Sequence, residues 1–180
     1  MKKNIFLDLD NTLISAEPLE DIQDPIKFQE RASKFDFKVM EDLYLICARP
    51  KLQPFLDFLF KNFNVNVWTA ASKDYALFII DEFILKKDTT RKINFILFDH
   101  HCRVSKKIYK KSKKLEMLWE SHKLTEFDRR NTFIIDDLEE VYESQPKNCF
   151  PVKPFFFLDR DGEFDQELLK LKSKLTNTLL

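Results

Sequence analysis

Three short apolar runs end in residues that can hold or transfer charge: residues 3–9 carry Asp8 and run into Asp10, residues 65–68 run into Thr69, and residues 132–135 into Asp136-Asp137. Each run has strand length and is bounded by turn-forming residues. Helical patterns lie between and after them. Leu52, Phe55, Leu56 and Leu59 recur at helical spacing behind Arg49-Pro50, where proline suits a first turn. Residues 73–84 give a second helix. Leu168, Leu171, Leu175 and Leu179 share one face of a terminal helix, with acids in its first turn and Lys170, Lys172 and Lys174 later. Strands alternating with helices predict an α/β fold with a doubly wound, mostly parallel sheet, whose ligands bind beyond the carboxyl ends of the strands. The three polar ends then lie together, and strand periodicity points Asp8 and Asp10 into one cleft.

The other segments fill in this frame. Residues 15–41 are more polar, with one short helix, and residues 43–47 read as a second strand of the strand-helix alternation. Residues 95–98 and 102–109 read as strands of a small β insertion at about 86–112. Residues 115–121 read as a short helix and 149–157 as a last strand. The 180 residues suit a single domain, 1–180, since a fold of this size buries about 70% of the surface its unfolded chain exposes. No internal repeat or low-complexity segment is present.

Gly162 is the only glycine. Dinucleotide fingerprints and Walker loops need several, so that backbone N–H groups can approach phosphates. Phosphate chemistry here must rely on side chains and a metal. Thirty basic and thirty acidic residues leave no net charge, so nothing global steers the chain to nucleic acid or an anionic membrane. Cys47, Cys102 and Cys149 are odd in number and widely spaced, which indicates neither a disulfide framework nor a zinc knuckle and suits a reducing compartment. The basic start meets Asp8 and Asp10 before a signal-peptide core could form, and no stretch approaches the ~20 apolar residues of a membrane span. The expectation is a soluble, intracellular protein, cytoplasmic or nuclear.

A single acid at a strand end is commonly a turn former or helix cap. Three converging ends are a different matter, because like charges buried side by side need a cation or a proton to offset them. An EF-hand reading of Asp8-Leu9-Asp10-Asn11-Thr12 fails: Leu13 takes the required glycine position and Leu19 the required glutamate.

Asp8-Leu9-Asp10-Asn11-Thr12-Leu13 resembles the first motif, D-x-D-x-[TV], of the haloacid dehalogenase superfamily of phosphotransferases. More narrowly, Ala48-Arg49-Pro50, Val67-Trp68-Thr69-Ala70, Lys113-Lys114-Leu115 and Ile135-Asp136-Asp137 look like the phosphatases acting on the C-terminal domain of RNA polymerase II. The similarity is greatest to their ubiquitin-like-domain-containing branch, through Asn131-Thr132-Phe133-Ile134-Ile135-Asp136-Asp137, Pro154-Phe155 and Glu167-Leu168-Leu169-Lys170-Leu171, with no ubiquitin-like segment ahead of it. It runs from about residue 3 to about residue 176 and is weakest between 14 and 40.

The resemblance implies a haloacid dehalogenase-like (Rossmann-like) fold without a large cap, and a role for each matching residue. Asp8 would be the nucleophile on phosphorus. Asp10 would protonate the leaving oxygen and later deprotonate water, for which it needs a raised pKa. Thr69 would hold a phosphoryl oxygen and Lys113 would neutralise its charge, with Lys114 as the alternative lysine. Mg2+ would be held by Asp8, the backbone carbonyl of Asp10 and Asp137. Asp136 would orient Lys113 or a metal-bound water, and Thr12 would support the site.

Seven basic residues fall between Arg103 and Lys114, by default a solvated strand face and otherwise a docking surface for a phosphorylated peptide. Adjacent strand residues point opposite ways, so His100, His101 and Cys102 do not make a metal site. Phe155-Phe156-Phe157 reads as core that could also wall the cleft. Related phosphatases favour an arginine where Asp99 stands, which bears on peptide specificity. The resulting expectation is a magnesium-dependent phosphoserine protein phosphatase with an aspartyl-phosphate intermediate, taking a phosphorylated segment such as the polymerase C-terminal repeat, without direct binding to nucleic acid or membrane. Two rivals stand beside it: the same chemistry on nucleotides, nucleic-acid termini or small metabolites, and a phosphopeptide-binding module without turnover.

Overall fold

The computed structural model describes residues 2–180. In chain order its elements are β1 (Asn4–Leu7), β2 (Ile14–Pro18), α1 (Pro25–Ala32), β3 (Phe37–Met40), β4 (Tyr44–Ala48), α2 (Leu52–Asn62), β5 (Asn64–Trp68) and α3 (Lys73–Ile79). They continue with β6 (Ile93–Leu97), α4 (Asp99–Tyr109), β7 (Thr132–Asp136), α5 (Glu139–Ser144), β8 (Cys149–Pro151) and α6 (Glu167–Leu179). After α3 the chain runs on through a wider π-helical stretch, Ile80–Leu85, and a second such stretch covers Met117–Ser121.

Five strands form a parallel sheet in the order β6-β5-β1-β7-β8. β1 holds the centre because every one of its residues is buried, as a strand covered on both faces requires. Its alternation divides the core. Ile5 and Leu7 join Leu56 and Leu59 of α2 and the four buried leucines of α6, while Phe6 turns the other way to Trp68, Phe127 and Ile134. Leu7 lies between Val67 of β5 and Ile135 of β7, so the residues just beyond all three strands emerge at one edge of the sheet. From β1 the chain builds β5 and β6 on one side and β7 and β8 on the other, the change of direction that opens a ligand crevice in such sheets.

Five local expectations change. The strand at 43–47 is β4, but it pairs antiparallel with β2 and β3 in a separate three-stranded sheet. The tight Leu9–Ile14 loop after β1 leads at once into β2, and β4 is taken up by its pairing with β2 and β3 and not by a place beside β1. The small β unit therefore comes from this early region, and the expected insertion at about 86–112 instead contains β6, at the edge of the main sheet, and α4. Residues 102–109 are helical because Cys102, Ser105 and Tyr109 face inward at spacings of three and four; Ser105, polar yet fully buried, hides the period. The last strand stops at Pro151, after which Phe155 and Phe157 pack with Phe28 and Phe35, away from the cleft, while Phe156 is exposed. Finally, α2 begins at Leu52 behind a left-handed Lys51, two residues later than Pro50 suggests.

The lone glycine has a packing role. A Cβ on Gly162 would lie 2.9 Å from the Phe156 carbonyl oxygen and 3.3 Å from Arg31 Nη2. Among the described residues, left-handed turns fall instead on nine non-glycine residues, six of them lysines. All three cysteines are free and buried, and burial pushes the Cys47 and Cys149 thiols up to about 12. No helix among the described residues is long and apolar enough to cross a membrane.

Candidate active site

Asp8 follows β1 and is buried. Its backbone N–H still donates to Ile135 of β7 at 3.0 Å, so the sheet fixes its position. The chain then closes a tight loop in which the N–H groups of Thr12, Leu13 and Ile14 all turn to the Leu9 carbonyl, with Asn11 left-handed at φ 59°. This loop carries Thr12 under Asp8. Thr12 Oγ1 lies 3.0 Å from Asp8 Oδ2 and 3.2 Å from Asp137 Oδ1, its one proton shared between two carboxylates. From outside, the buried Arg49 donates to the Thr12 carbonyl at 3.0 Å, forks onto both oxygens of Asp165 at 2.9 Å, and bonds the Lys153 carbonyl at 2.8 Å. The Arg-Pro motif thus braces the first motif against the chain's C-terminal part.

Asp10 is half-buried and accepts a 2.7 Å hydrogen bond from the Tyr75 hydroxyl of α3. Burial raises its pKa, the Tyr75 bond opposes this, and the charge of Asp8 adds to the rise. A general acid at this position requires that direction. The same contact and burial hold the Tyr75 phenol well above its ordinary value.

Lys113 is buried, with Nζ 2.5 Å from Asp8 Oδ1 and 2.7 Å from Asp136 Oδ2. Burial alone lowers an ammonium pKa, but Asp8 and Asp136 outweigh it and the net shift is upward, so the lysine stays charged. Lys114 turns away and donates to the Ser144 carbonyl, so of the two lysines only Lys113 reaches the cleft. Lys113 is itself left-handed, at φ 51°. Two buried side chains hold its turn. Gln145 donates Nε2–H to the Lys113 carbonyl at 2.9 Å and accepts Leu115 N–H at 3.0 Å, while Ser105 donates to the Lys111 carbonyl and accepts Lys114 N–H.

Asp136 ends β7, fully buried. One oxygen faces Lys113 and the other accepts Leu138 N–H at 2.9 Å. Burial and the charge of Asp8 push its carboxyl up, against the pull of Lys113. Asp137 is half-buried, and burial together with Asp8 raises it to about 6. Oxygen atoms of Asp8, Asp136 and Asp137 lie within 4.8 Å of one another. With Asp10, four carboxylates meet one lysine, an excess of negative charge that a hard divalent cation offsets and that all-oxygen donors suit. Asp8, Asp136 and Asp137 are the three carboxylates that come close enough together to share such an ion.

Thr69 ends β5 beside β1, fully buried. Its Oγ1 accepts Ala71 N–H at 3.1 Å, which leaves its own proton to donate into the cleft. It makes no direct bond to the aspartates. His101 is occupied in capping α4, its Nδ1 accepting Phe98 N–H at 3.1 Å. Tyr75, Ser105 and Gln145 escaped the sequence reading. Tyr75 carried a signal, its place on the first turn of the helix behind Thr69; Gln145 carried none, lying thirty-two residues from the lysine it holds.

A parallel sheet with an acidic rim of this form is that of the haloacid dehalogenase-type phosphatases. The chain belongs to the family of NLI interacting factor-like phosphatases, whose model matches residues 3–179. It is 73% identical over 180 residues to CTD phosphatase-like protein 355R of Invertebrate iridescent virus 6, covering 98% of this chain and 99% of that one. It is 28% identical to the zebrafish (Danio rerio) ubiquitin-like domain-containing CTD phosphatase 1 over 146 residues, 78% of this chain and 45% of the relative. The fold is shared with fission yeast RNA polymerase II CTD phosphatase Fcp1 bound to beryllium fluoride, at a TM-score of 0.62 and 20% identity, with 99% of this chain spanning 50% of that structure. Family membership supports a phosphoric monoester hydrolase.

Proposed function

We propose that this chain is a magnesium-dependent phosphatase that removes phosphate from serine in an extended protein segment through an aspartyl-phosphate on Asp8. The observation that carries this reading is the buried Asp8–Lys113–Asp136 bridge at the carboxyl edge of the sheet, with Asp10 and Asp137 on either side. An Asp8 oxygen attacks phosphorus while the bond to the serine oxygen breaks, and Asp10 delivers its proton to that oxygen. Water then attacks the acyl-phosphate, Asp10 takes its proton, and phosphate leaves with Asp8 restored. Thr69 donates to a phosphoryl oxygen, and the Lys113 ammonium balances charge on the transferring group. Asp136 holds Lys113 in place.

Mg2+ held by Asp8, Asp137 and the Asp10 carbonyl would neutralise the phosphate and orient it in line with Asp8. The protein substrate is supported by relatives named as CTD phosphatases, and the polymerase C-terminal repeat is the candidate those names suggest. A phosphorylated repeat peptide assayed with and without Mg2+ should release phosphate only with the metal, and Asp8→Asn should abolish release. Equal turnover by both proteins refutes the reading.

A further inference from the structure

The basic run behind β6 gains a meaning from being helical. On a strand its side chains would alternate between two faces; on α4, Arg103, Lys106 and Lys107 follow at spacings of three and four and share one flank, and Lys110 follows as the residue that caps the helix. All four are exposed. Arg103 pairs with Asp99 at 2.5 Å, whereas Lys106, Lys107 and Lys110 have no carboxylate partner among the described residues. A chain with no net charge has concentrated unpaired positive charge on one short helix.

That helix is tied to the cleft at both ends. At its start, Asp99 N–H donates to the Ala71 carbonyl at 2.9 Å, beside Thr69, and Cys102 Sγ meets the Thr69 carbonyl at 3.5 Å. At its end, Ser105 holds the Lys111–Lys114 turn that delivers Lys113. α4 therefore borders the cleft at both ends, and its exposed basic flank is within reach of a polypeptide bound across it.

We infer that the Lys106, Lys107 and Lys110 flank of α4 docks acidic residues neighbouring the scissile phosphoserine, and so selects an acidic polypeptide substrate. Unpaired ammonium groups at a cleft rim attract carboxylates and phosphates and set salt dependence more than turnover. The inference rests on the phosphatase reading above, and its test keeps the two apart.

Two phosphoserine peptides are compared, one flanked by glutamates and one by glutamines, beside p-nitrophenyl phosphate, which is too small to reach the flank. At low salt the wild type should favour the glutamate peptide about tenfold in KM, and the double variant K106E/K107E, which leaves the lysine loop untouched, should lose most of that preference while keeping its p-nitrophenyl phosphate kinetics. A wild type indifferent to the flanks, or a preference that survives intact in the variant, overturns the inference. If p-nitrophenyl phosphate is not turned over at all, the phosphatase reading fails, and docking is read separately from fluorescence anisotropy of the same peptides on wild type and variant. Single-stranded RNA binding through these lysines, with no peptide preference, also overturns it.

Discussion

The cleft is built from two loops that solve the same problem differently. The nucleophile loop, Leu9–Ile14, follows a central strand directly, closes on a single carbonyl through neighbouring N–H groups, and is braced from a distance by Arg49 and by the Phe155 N–H on the Asn11 carbonyl. The lysine loop follows the end of α4, with left-handed Lys110 and Lys113, and is held from outside by Ser105 and Gln145. A carboxylate at the end of a buried strand is located by the strand itself. An ammonium that must reach the same point from a glycine-free loop is located by side chains elsewhere in the sequence, which also offset the cost of a left-handed backbone, of order 1 kcal/mol or more per residue.

The largest expected effect comes from emptying each loop of its charge in turn. Lys113→Met strands Asp8 and Asp136 in a buried setting, and removing one partner of a buried ion pair costs about 3–5 kcal/mol. Thermal unfolding in metal-free buffer should fall by about 10 °C. Asp8→Asn removes one of four crowded carboxylates and should leave the melting temperature unchanged or higher. A Lys113 variant as stable as the wild type would mean that the bridge is not what holds the cleft together.

A smaller effect separates the supports from the loops. Gln145→Leu keeps the volume but deprives Lys113 O and Leu115 N of their partners, which should cost about 1–3 kcal/mol. With the turn loosened, kcat should drop at least about tenfold while KM for a small phosphate ester changes little, as expected when a positioned charge is misplaced. Gln145→Glu can still accept Leu115 N–H but cannot donate to Lys113 O, so it should recover only part of the loss.

This division matches what could be read from residues alone. Asp8, Asp10, Thr69, Asp136 and Asp137 were legible because each follows an apolar run whose length and burial declare a strand, and parallel strand ends meet. Lys113 could be proposed but not separated from Lys114, since the choice depends on a left-handed turn fixed by Gln145 and Ser105, neither of which leaves a local pattern. The α4 segment was misread for a related reason: a buried serine does not score as apolar, so the helical period was invisible. β4 was recognised as a strand but placed in the wrong sheet, because pairing partners depend on the tight return after β1 and not on the strand's own residues.

Tyr75 tests the acid on the nucleophile side. Its hydrogen bond favours the Asp10 carboxylate and so pulls down a pKa that burial raises. In the proposed mechanism Asp10 begins protonated, so turnover of an alkyl phosphate should fall as pH climbs through that raised value. Tyr75→Phe removes the downward pull, and the alkaline limb should move to higher pH. For p-nitrophenyl phosphate, whose leaving group needs little protonation, the shift should be much weaker. Identical limbs for both substrates in both proteins would take the acid role away from Asp10.

The smallest expected effect concerns the two sets of supports in acid. Gln145 and Ser105 carry no charge, whereas Arg49 depends on Asp165. Burial pushes Asp165 up, but the Arg49 hydrogen bonds and charge outweigh it, and its carboxyl is held below the ordinary value. A depressed folded-state pKa means that the pair's stabilisation is present above the unfolded value, about pH 4, and is lost as pH falls through the lower folded value. The brace on the nucleophile loop should therefore weaken only in strong acid, by about 1–2 kcal/mol. Asp165→Asn should show the loss already at neutral pH, together with a flatter fall in melting temperature below about pH 4 than the wild type. Parallel acid profiles for the two proteins would show that Arg49 is held by the Thr12 and Lys153 carbonyls alone, making the nucleophile loop as independent of titration as the lysine loop.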